Sequence, residues 1–116
     1  MYPKTVLVEN VSTDAITSAT TTVYTVPTNT RAKWILAYLS NSTGSTISGV
    51  DLEIVDGANI SVLSAKSLTA GEFLQFDSTS GYIMLEAGYE IRARADATGV
   101  SCMLTLEETT GLVSRS

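Results

Sequence analysis

The segment at residues 20–40, TTTVYTVPTNTRAKWILAYLS, constrains the fold more than any other part of the sequence. Its stretch 34–39, WILAYL, is entirely apolar or aromatic, so a strand here needs cover on both of its faces. Pro27 has a fixed φ and no backbone N–H for a ladder, so it should end one strand before the next begins at Arg31. The segment therefore predicts two strands joined by a turn at 27–30, the second of them buried between other parts of the protein.

The rest of the chain is also rich in strand-forming and turn-forming residues. Ser, Thr, Val and Ile are abundant, and no stretch has the period of a helix. Eight or nine short stretches with alternating apolar residues recur every 8–12 residues or so, separated by turns. At 116 residues the chain is long enough for one domain with its own core. The prediction is an all-β protein, either a sandwich or a barrel.

The pattern of alternation sets the expected strand boundaries. The predicted strands cover residues 4–12, 20–26, 31–40, 50–55, 59–63, 72–76, 82–86, 89–97 and 100–108. Residues 12–20 are predicted to be a linker, 41–49 a turn and 64–71 a loop.

Three segments follow from this layout. Residues 1–19 are expected to be an N-terminal strand or arm with its linker, 20–108 the sandwich domain, and 109–116 a flexible tail. The first strand has two interpretations. It can be an ordinary strand of the same sheet, or an arm that pairs with a neighbouring subunit.

The charge of the chain argues against two classes of partner. The net charge is −5 and the sequence pI is about 4.5, and the seven basic residues are scattered. Phosphate backbones and anionic membranes both require clustered Lys and Arg, so neither nucleic acid nor a membrane is an expected partner. A single Cys excludes an internal disulfide, and the N-terminal residues lack the pattern of a signal peptide.

The residues needed for common chemistry are scarce. Because the chain has no His, it cannot form a Ser–His or Cys–His nucleophile, and we expect it not to be an enzyme and to have no cofactor. Asp51, Glu53 and Asp56 could bind Ca²⁺ weakly, but they lack the ligand spacing of an EF-hand loop. Cys102 alternates onto an apolar face and is predicted to be a small core residue.

Two groups of side chains are candidates for an interaction surface. Arg92 and Arg94 share one face of a predicted strand, where they could form cross-strand ion pairs with Asp51 and Glu53 or bind an acidic partner. Both alternatives stay open. Aromatic rings could form a sugar platform, but because they are spread over several strands they are more readily explained as core and rim residues. These rings are Trp34, Tyr24, Tyr38, Tyr82 and Tyr89.

Three stretches resemble a pattern found in small bacteriophage structural proteins. The first is YTVPTNTRAKWILAYLSNSTGSTISGVDLEI, where a strand ending in Y-T-V-P precedes a polar turn, a basic-apolar strand and N-x-[ST]-rich loops. The others are LTAGEFLQF and YIMLEAGYEIRARADATGVSCMLTLEE, in which two A-G turns lead into strands. The resemblance covers residues 20–108 and consists of turns and strands without catalytic residues.

The resemblance implies an antiparallel, jelly-roll-like β-sandwich that forms part of a virion assembled in the host cytoplasm. The implied function is capsid decoration (cement) by non-covalent contacts with the major capsid protein or other virion proteins. Alternatives are a tail, adaptor, baseplate or fibre component, or a carbohydrate-binding module. We expect a homo-oligomer, with a trimer as the first choice. The candidate interface residues are Trp34, Tyr38, Arg92 and Arg94.

Overall fold

The computed structural model describes residues 2–8, 11, 21–76, 83–97 and 99–110. Within these residues the chain forms nine strands and no helix, which confirms the predicted all-β fold. The strands are β1 (Tyr2–Val8), β2 (Thr21–Thr25), β3 (Thr30–Asn41), β4 (Ile47–Val55), β5 (Asn59–Leu68), β6 (Phe73–Phe76), β7 (Ile83–Leu85), β8 (Glu90–Arg94) and β9 (Val100–Thr110).

The strands form two antiparallel sheets that pack face to face. Sheet A has the order β1-β9-β3-β6, with β7 also paired to β3, and sheet B has the order β2-β8-β4-β5. The pairs β1–β9, β2–β8, β3 with β6 and β7, and β4–β5 nest inside one another along the chain. This nesting is what results when one long hairpin, folded at the β4–β5 turn, rolls up into two sheets. The predicted jelly-roll-like sandwich is therefore confirmed.

The core lies between the two sheets and is filled by alternate residues of the long strands. Side chains directly opposite one another in a ladder share a face, so each pairing register shows which residues point inward. The inward faces predicted for the last two strands are confirmed, and Cys102 is a core residue as expected. The fully buried side chains on these faces are Ile91, Ala93, Ala95, Val100, Cys102, Leu104 and Leu106.

Strand β3 lies in the middle of sheet A and differs from the prediction in one respect. A β-bulge between Trp34 and Leu36 shifts its alternation by one residue. Trp34, Ala37 and Leu39 are buried in the core, whereas Leu36 and Tyr38 lie on the outer face and are only half-buried. The described residues thus cover one face of this strand fully and the other only in part.

Most strand boundaries differ from the predicted ones, and the largest extensions are in the β4–β5 hairpin. β3 begins at Thr30, one residue early, β4 begins at Ile47 inside the predicted turn, and β5 continues to Leu68 through the predicted loop. Ile47 and Leu68 are partners in the β4–β5 ladder and both are buried. Burial of this pair therefore extends the hairpin beyond the point where the polar sequence suggested that it ends.

The first and last strands pair with each other at one edge of sheet A. β1 pairs with β9 of the same chain through seven residues, from Tyr2 opposite Glu108 to Val8 opposite Cys102. β9 runs to Thr110, two residues beyond the predicted end of the last strand. The linker predicted at 12–20, Tyr82 and the rest of the predicted tail, 111–116, lie outside the described residues.

Candidate interaction surface

The outer face of sheet B carries charged side chains that are paired with one another. Arg94 stands opposite Asp51 in the β4–β8 ladder, and Nη1 of Arg94 lies 3.2 Å from Oδ2 of Asp51. The same nitrogen donates to the carbonyl oxygen of Gly49 at 2.8 Å, and Nη2 donates to Oδ1 of Asp96 at 2.6 Å. Only 7% of the Arg94 side chain is exposed. The predicted cross-strand pair with Asp51 is thus present, and the hydrogen bond to Asp96 raises the pKa of the Arg94 guanidinium above its ordinary value.

Arg92 is paired within its own strand. Its Nη2 lies 2.8 Å from Oε1 of Glu90, and Thr22 on β2 donates to the same carboxylate oxygen at 3.1 Å. The hydrogen bond from Arg92 lowers the pKa of the Glu90 carboxyl below its ordinary value. Glu53 stands opposite Arg92 in the ladder, but the ion pair of Arg92 is made with Glu90. Both arginines are therefore engaged inside sheet B, which favours the ion-pair interpretation over binding of an acidic partner.

Trp34 belongs to the core. It is 6% exposed, and its indole Nε1–H donates to the carbonyl oxygen of Leu36 at 3.0 Å, across the bulge in β3. A ring in this position offers no face on which a sugar could stack. Tyr24 is also buried, and its hydroxyl donates to Oε2 of Glu108 at 2.5 Å, a bond that joins sheet B to sheet A. Burial, together with this bond, raises the pKa of Tyr24 well above its ordinary value.

The outer face of sheet A has a different character, because the described residues of three adjacent rows include no charged side chain. The pairing registers of β1, β9, β3 and β6 define these rows. They consist of Thr5, Leu7, Leu36, Tyr38, Ser40, Phe73, Gln75, Ser101, Met103 and Thr105, which we call the uncharged band.

The apolar side chains of the uncharged band are partly open to solvent, most of all on its two outer strands, β1 and β6. Leu7 is 59% exposed and Phe73 is 53% exposed, while Tyr38 and Met103 are half-buried. The rings of Tyr38 and Phe73 stack with centroids 5.0 Å apart and an interplanar angle of 13°. Ser40 and Ser101 are hydrogen-bonded to each other at 2.9 Å between their Oγ atoms. Apolar side chains beside two serines that are hydrogen-bonded to each other make a surface that can be buried at low polar desolvation cost.

Of the four predicted interface residues, only Tyr38 lies in the uncharged band. Leu7, Phe73 and Met103 were not singled out from the sequence, although each breaks the alternation by placing an apolar side chain on the face that its neighbours leave polar. Such a break was the available signal. A break in alternation indicates a shared surface only once the strand order is known, because that order brings β1, β9, β3 and β6 side by side.

The remaining candidate sites are occupied by structural contacts. Asp51 binds Arg94, and Oδ1 of Asp56 accepts a hydrogen bond from the backbone N–H of Ala58 at 3.3 Å. Among the described residues, no group of three or more Asp, Glu or Cys side chains is placed to hold a metal ion. Cys102 is fully buried, and burial raises the pKa of its thiol to about 12.

In the part of the chain that the structure describes, no helix has the length and apolarity needed to cross a membrane. No protein-family model matches the chain, and no curated protein matches its sequence. The fold and surfaces define a jelly-roll β-sandwich with one outer face of paired charges and one outer face that carries the uncharged band.

Proposed function

We propose that this chain is a structural protein of a bacteriophage virion, and specifically a decoration protein that stabilises the head by non-covalent contacts. The observation that carries the proposal is the uncharged band on sheet A. A monomeric sandwich ordinarily presents polar side chains on its solvated faces, so an exposed group of apolar side chains indicates contact with another protein. The likeness to phage structural proteins over residues 20–108 points to the same class, with the major capsid protein or other virion proteins as partners.

The size of the uncharged band sets the strength of such a contact. Four strands about 4.8 Å apart and three rows of side chains give a face of about 400 Å². At about 25 cal/mol per Å², and with about half of the face apolar, burial contributes about 5 kcal/mol before the entropy of association is subtracted. One contact of this size is weak. Many copies in a regular array on a particle add their contributions, as cementing a capsid requires.

The test is made on virus particles that lack the protein. Particles produced without its coding sequence should lose infectivity or release DNA at lower temperature and lower salt than intact particles. Adding back the purified protein should restore resistance, and the Ile60→Ser variant, which changes an exposed apolar residue (47%) on the other sheet, should restore it equally well. Depleted particles that withstand heat and low salt unchanged would refute the proposal.

The alternative proposal is that the chain is a tail, adaptor, baseplate or fibre component with the same fold. Copy number separates the two proposals, because decoration requires on the order of hundreds of copies per particle in a surface array. Quantitative mass spectrometry of purified particles measures this number directly. A few copies, or a few dozen, would favour the tail proposal.

Carbohydrate binding is the remaining alternative, and one observation gives it a specific form. Trp34 is buried, so the stacked and partly exposed rings of Tyr38 and Phe73 would have to provide the platform for a pyranose ring. Glycan titrations followed by NMR shifts of these two rings test the alternative. Unchanged shifts at millimolar glycan would exclude it.

A further inference from the structure

Two large side chains of the uncharged band, Leu7 and Tyr38, lie symmetrically on either side of β9. β9 lies between β1 and β3 in sheet A, and Met103 of β9 stands directly opposite both Leu7 of β1 and Tyr38 of β3. These three outward side chains form one row, with Leu7 and Tyr38 at equal distances of about one strand spacing, ~4.8 Å, on either side of Met103. A prominent aliphatic side chain thus lies on one side of β9, and a stacked aromatic pair on the other.

A two-fold axis parallel to β9 exchanges the two sides of this row. Two copies related by such an axis, packed face to face, place β1 of each copy over β3 of the other. Leu7 of each copy then rests against the Tyr38–Phe73 pair of the other, and Met103 meets its own symmetry mate. Contacts of this reciprocal kind are what an isologous interface requires, and aligned packing of two sheets about 10 Å apart is a common arrangement.

The distribution of charge favours a second copy over an unrelated partner. Each chain carries a net charge of −5, so two copies repel each other in most orientations. The uncharged band is a face on which copies can meet without bringing carboxylates together. In the described β3–β9 ladder, Lys33 and Glu107 face each other in the row next to the band, at one end, where they can stay hydrated at the rim.

We infer that the uncharged band is a self-association surface, and that two copies of the chain pair through it around a two-fold axis along β9. The biological setting of this pair rests on the proposed function, but the pairing itself does not. The unit that it produces is a dimer, in place of the trimer expected from the sequence.

The area of the contact predicts a weak dimer. About 400 Å² per copy is half of the roughly 800 Å² per partner that specific stable interfaces bury. We therefore expect dissociation constants between about 10 μM and 1 mM for the free protein. Concentrations in this range are reached locally when many copies are attached to one surface.

Cysteine cross-linking tests the geometry. Under mild oxidation, the Met103→Cys variant should form a disulfide-linked dimer about ten times faster than the Thr22→Cys variant, whose cysteine lies on the opposite outer face. A mixture of Leu7→Cys and Tyr38→Cys proteins should cross-link faster than either protein alone, because the axis brings these positions together only between copies. The native Cys102 is fully buried, so the unmodified chain serves as the blank. Equal rates at positions 103 and 22, or no gain on mixing, would overturn the inference.

Sedimentation equilibrium tests the association itself. The unmodified chain should show a monomer–dimer equilibrium between about 10 μM and 1 mM, and Met103→Lys should weaken it at least tenfold by bringing two ammonium groups together at the axis. Ile60→Ser is the matched control and should leave it unchanged, with circular dichroism confirming that both variants are folded.

The outcomes separate this inference from the proposed function. A chain that stays monomeric but binds depleted particles, and loses that binding with Met103→Lys, would use the band for another virion protein. In that case the inference fails and the function stands. A chain that dimerises as described but neither binds nor stabilises particles would leave the pairing intact and refute the function.

Discussion

Replacing Trp34 by Ala tests the central packing argument for this fold. The indole ring is 6% exposed and lies on the inward face of β3, the central strand of sheet A. Leu106 of β9 and Ile83 of β7 are its ladder partners on either side. The substitution removes the largest side chain of the chain from the interface between the two sheets, so the resulting space can be closed only by moving whole strands.

The expected loss of stability has two separable parts. Truncation of a buried Trp or Phe to Ala costs about 3–5 kcal/mol, from lost transfer free energy and from the cavity that remains. The hydrogen bond from the indole to the carbonyl oxygen of Leu36 is the second part. Trp34→Phe keeps most of the ring volume but removes that donor from the bulge, so it should cost about 1–2 kcal/mol. The difference between the two variants measures the packing contribution alone.

Urea unfolding followed by far-ultraviolet circular dichroism measures the free energy of unfolding of both variants. Circular dichroism is used because neither variant retains the Trp fluorophore. With a slope of about 2 kcal/mol per M for a chain of this size, Trp34→Ala should lower the midpoint by about 2 M urea. Ile60→Ala is the control, since a half-exposed residue at a sheet edge should change the free energy of unfolding by no more than about 0.5 kcal/mol. In the unmodified protein, the Trp emission should be blue-shifted and protected from acrylamide.

A loss below about 1 kcal/mol for Trp34→Ala would refute the reasoning, because no buried Trp in a close-packed core is removed so cheaply. Red-shifted emission with free acrylamide access would refute it independently. Either result would place the ring at the surface and would strengthen the carbohydrate-binding alternative.

Two further predictions concern the backbone and alkaline pH. Gly49→Ala should lower the free energy of unfolding by about 1–3 kcal/mol in the same assay, since Gly49 has φ +66° and a Cβ there would lie 2.2 Å from Oδ1 of Asp96. Gly44→Ala is the control and should leave stability unchanged, because the space around Gly44 is open. Equal effects of the two substitutions would contradict the argument. The folded protein favours the neutral phenol of Tyr24, so its contribution to stability is complete below the ordinary tyrosine pKa of about 10 and is lost as the pH rises above it. Urea midpoints between about pH 8 and 11 should therefore fall more steeply for the unmodified chain than for Tyr24→Phe, which lacks the hydroxyl that donates to Glu108; parallel curves would contradict this assignment.

The sequence predicted most of the fold because alternation and turn residues are local signals. The cleanest case is β9, where every second residue from Val100 to Leu106 is apolar and buried. The extent of the β4–β5 hairpin was not predictable in this way. Ile47 lies among Ser, Thr and Gly, and the register that pairs it with Leu68 depends on bulges that the sequence does not mark.

The candidate surface was predicted only in part, and the reason is topological. Tyr38 was a candidate from composition, and the ion pair of Arg94 with Asp51 followed from alternation on two strands. The other positions become neighbours only because β9 lies between β1 and β3. In the band, the β1–β9 and β3–β9 pairings bring together residues more than 60 positions apart in the sequence. Strand order of this kind is set by packing of the whole sandwich, which local patterns do not encode.

The positions of the apolar side chains on the outer face of sheet A are the strongest argument that this face contacts another protein. An antiparallel sheet with one solvated face should alternate apolar and polar residues, and β9 does so with Ser101, Thr105 and Glu107 outward. Met103 is its one apolar outward residue, and Leu7 and Tyr38 are the residues directly opposite it on the two flanking strands. Exceptions without a common cause would be scattered along three strands. These three fall in one row, and Leu36 and Phe73 lie in the two rows beside it, on the side of β3 that the described residues leave partly uncovered. Because they are neighbours, they act as one surface, and we infer that another protein molecule covers the outer face of this strand.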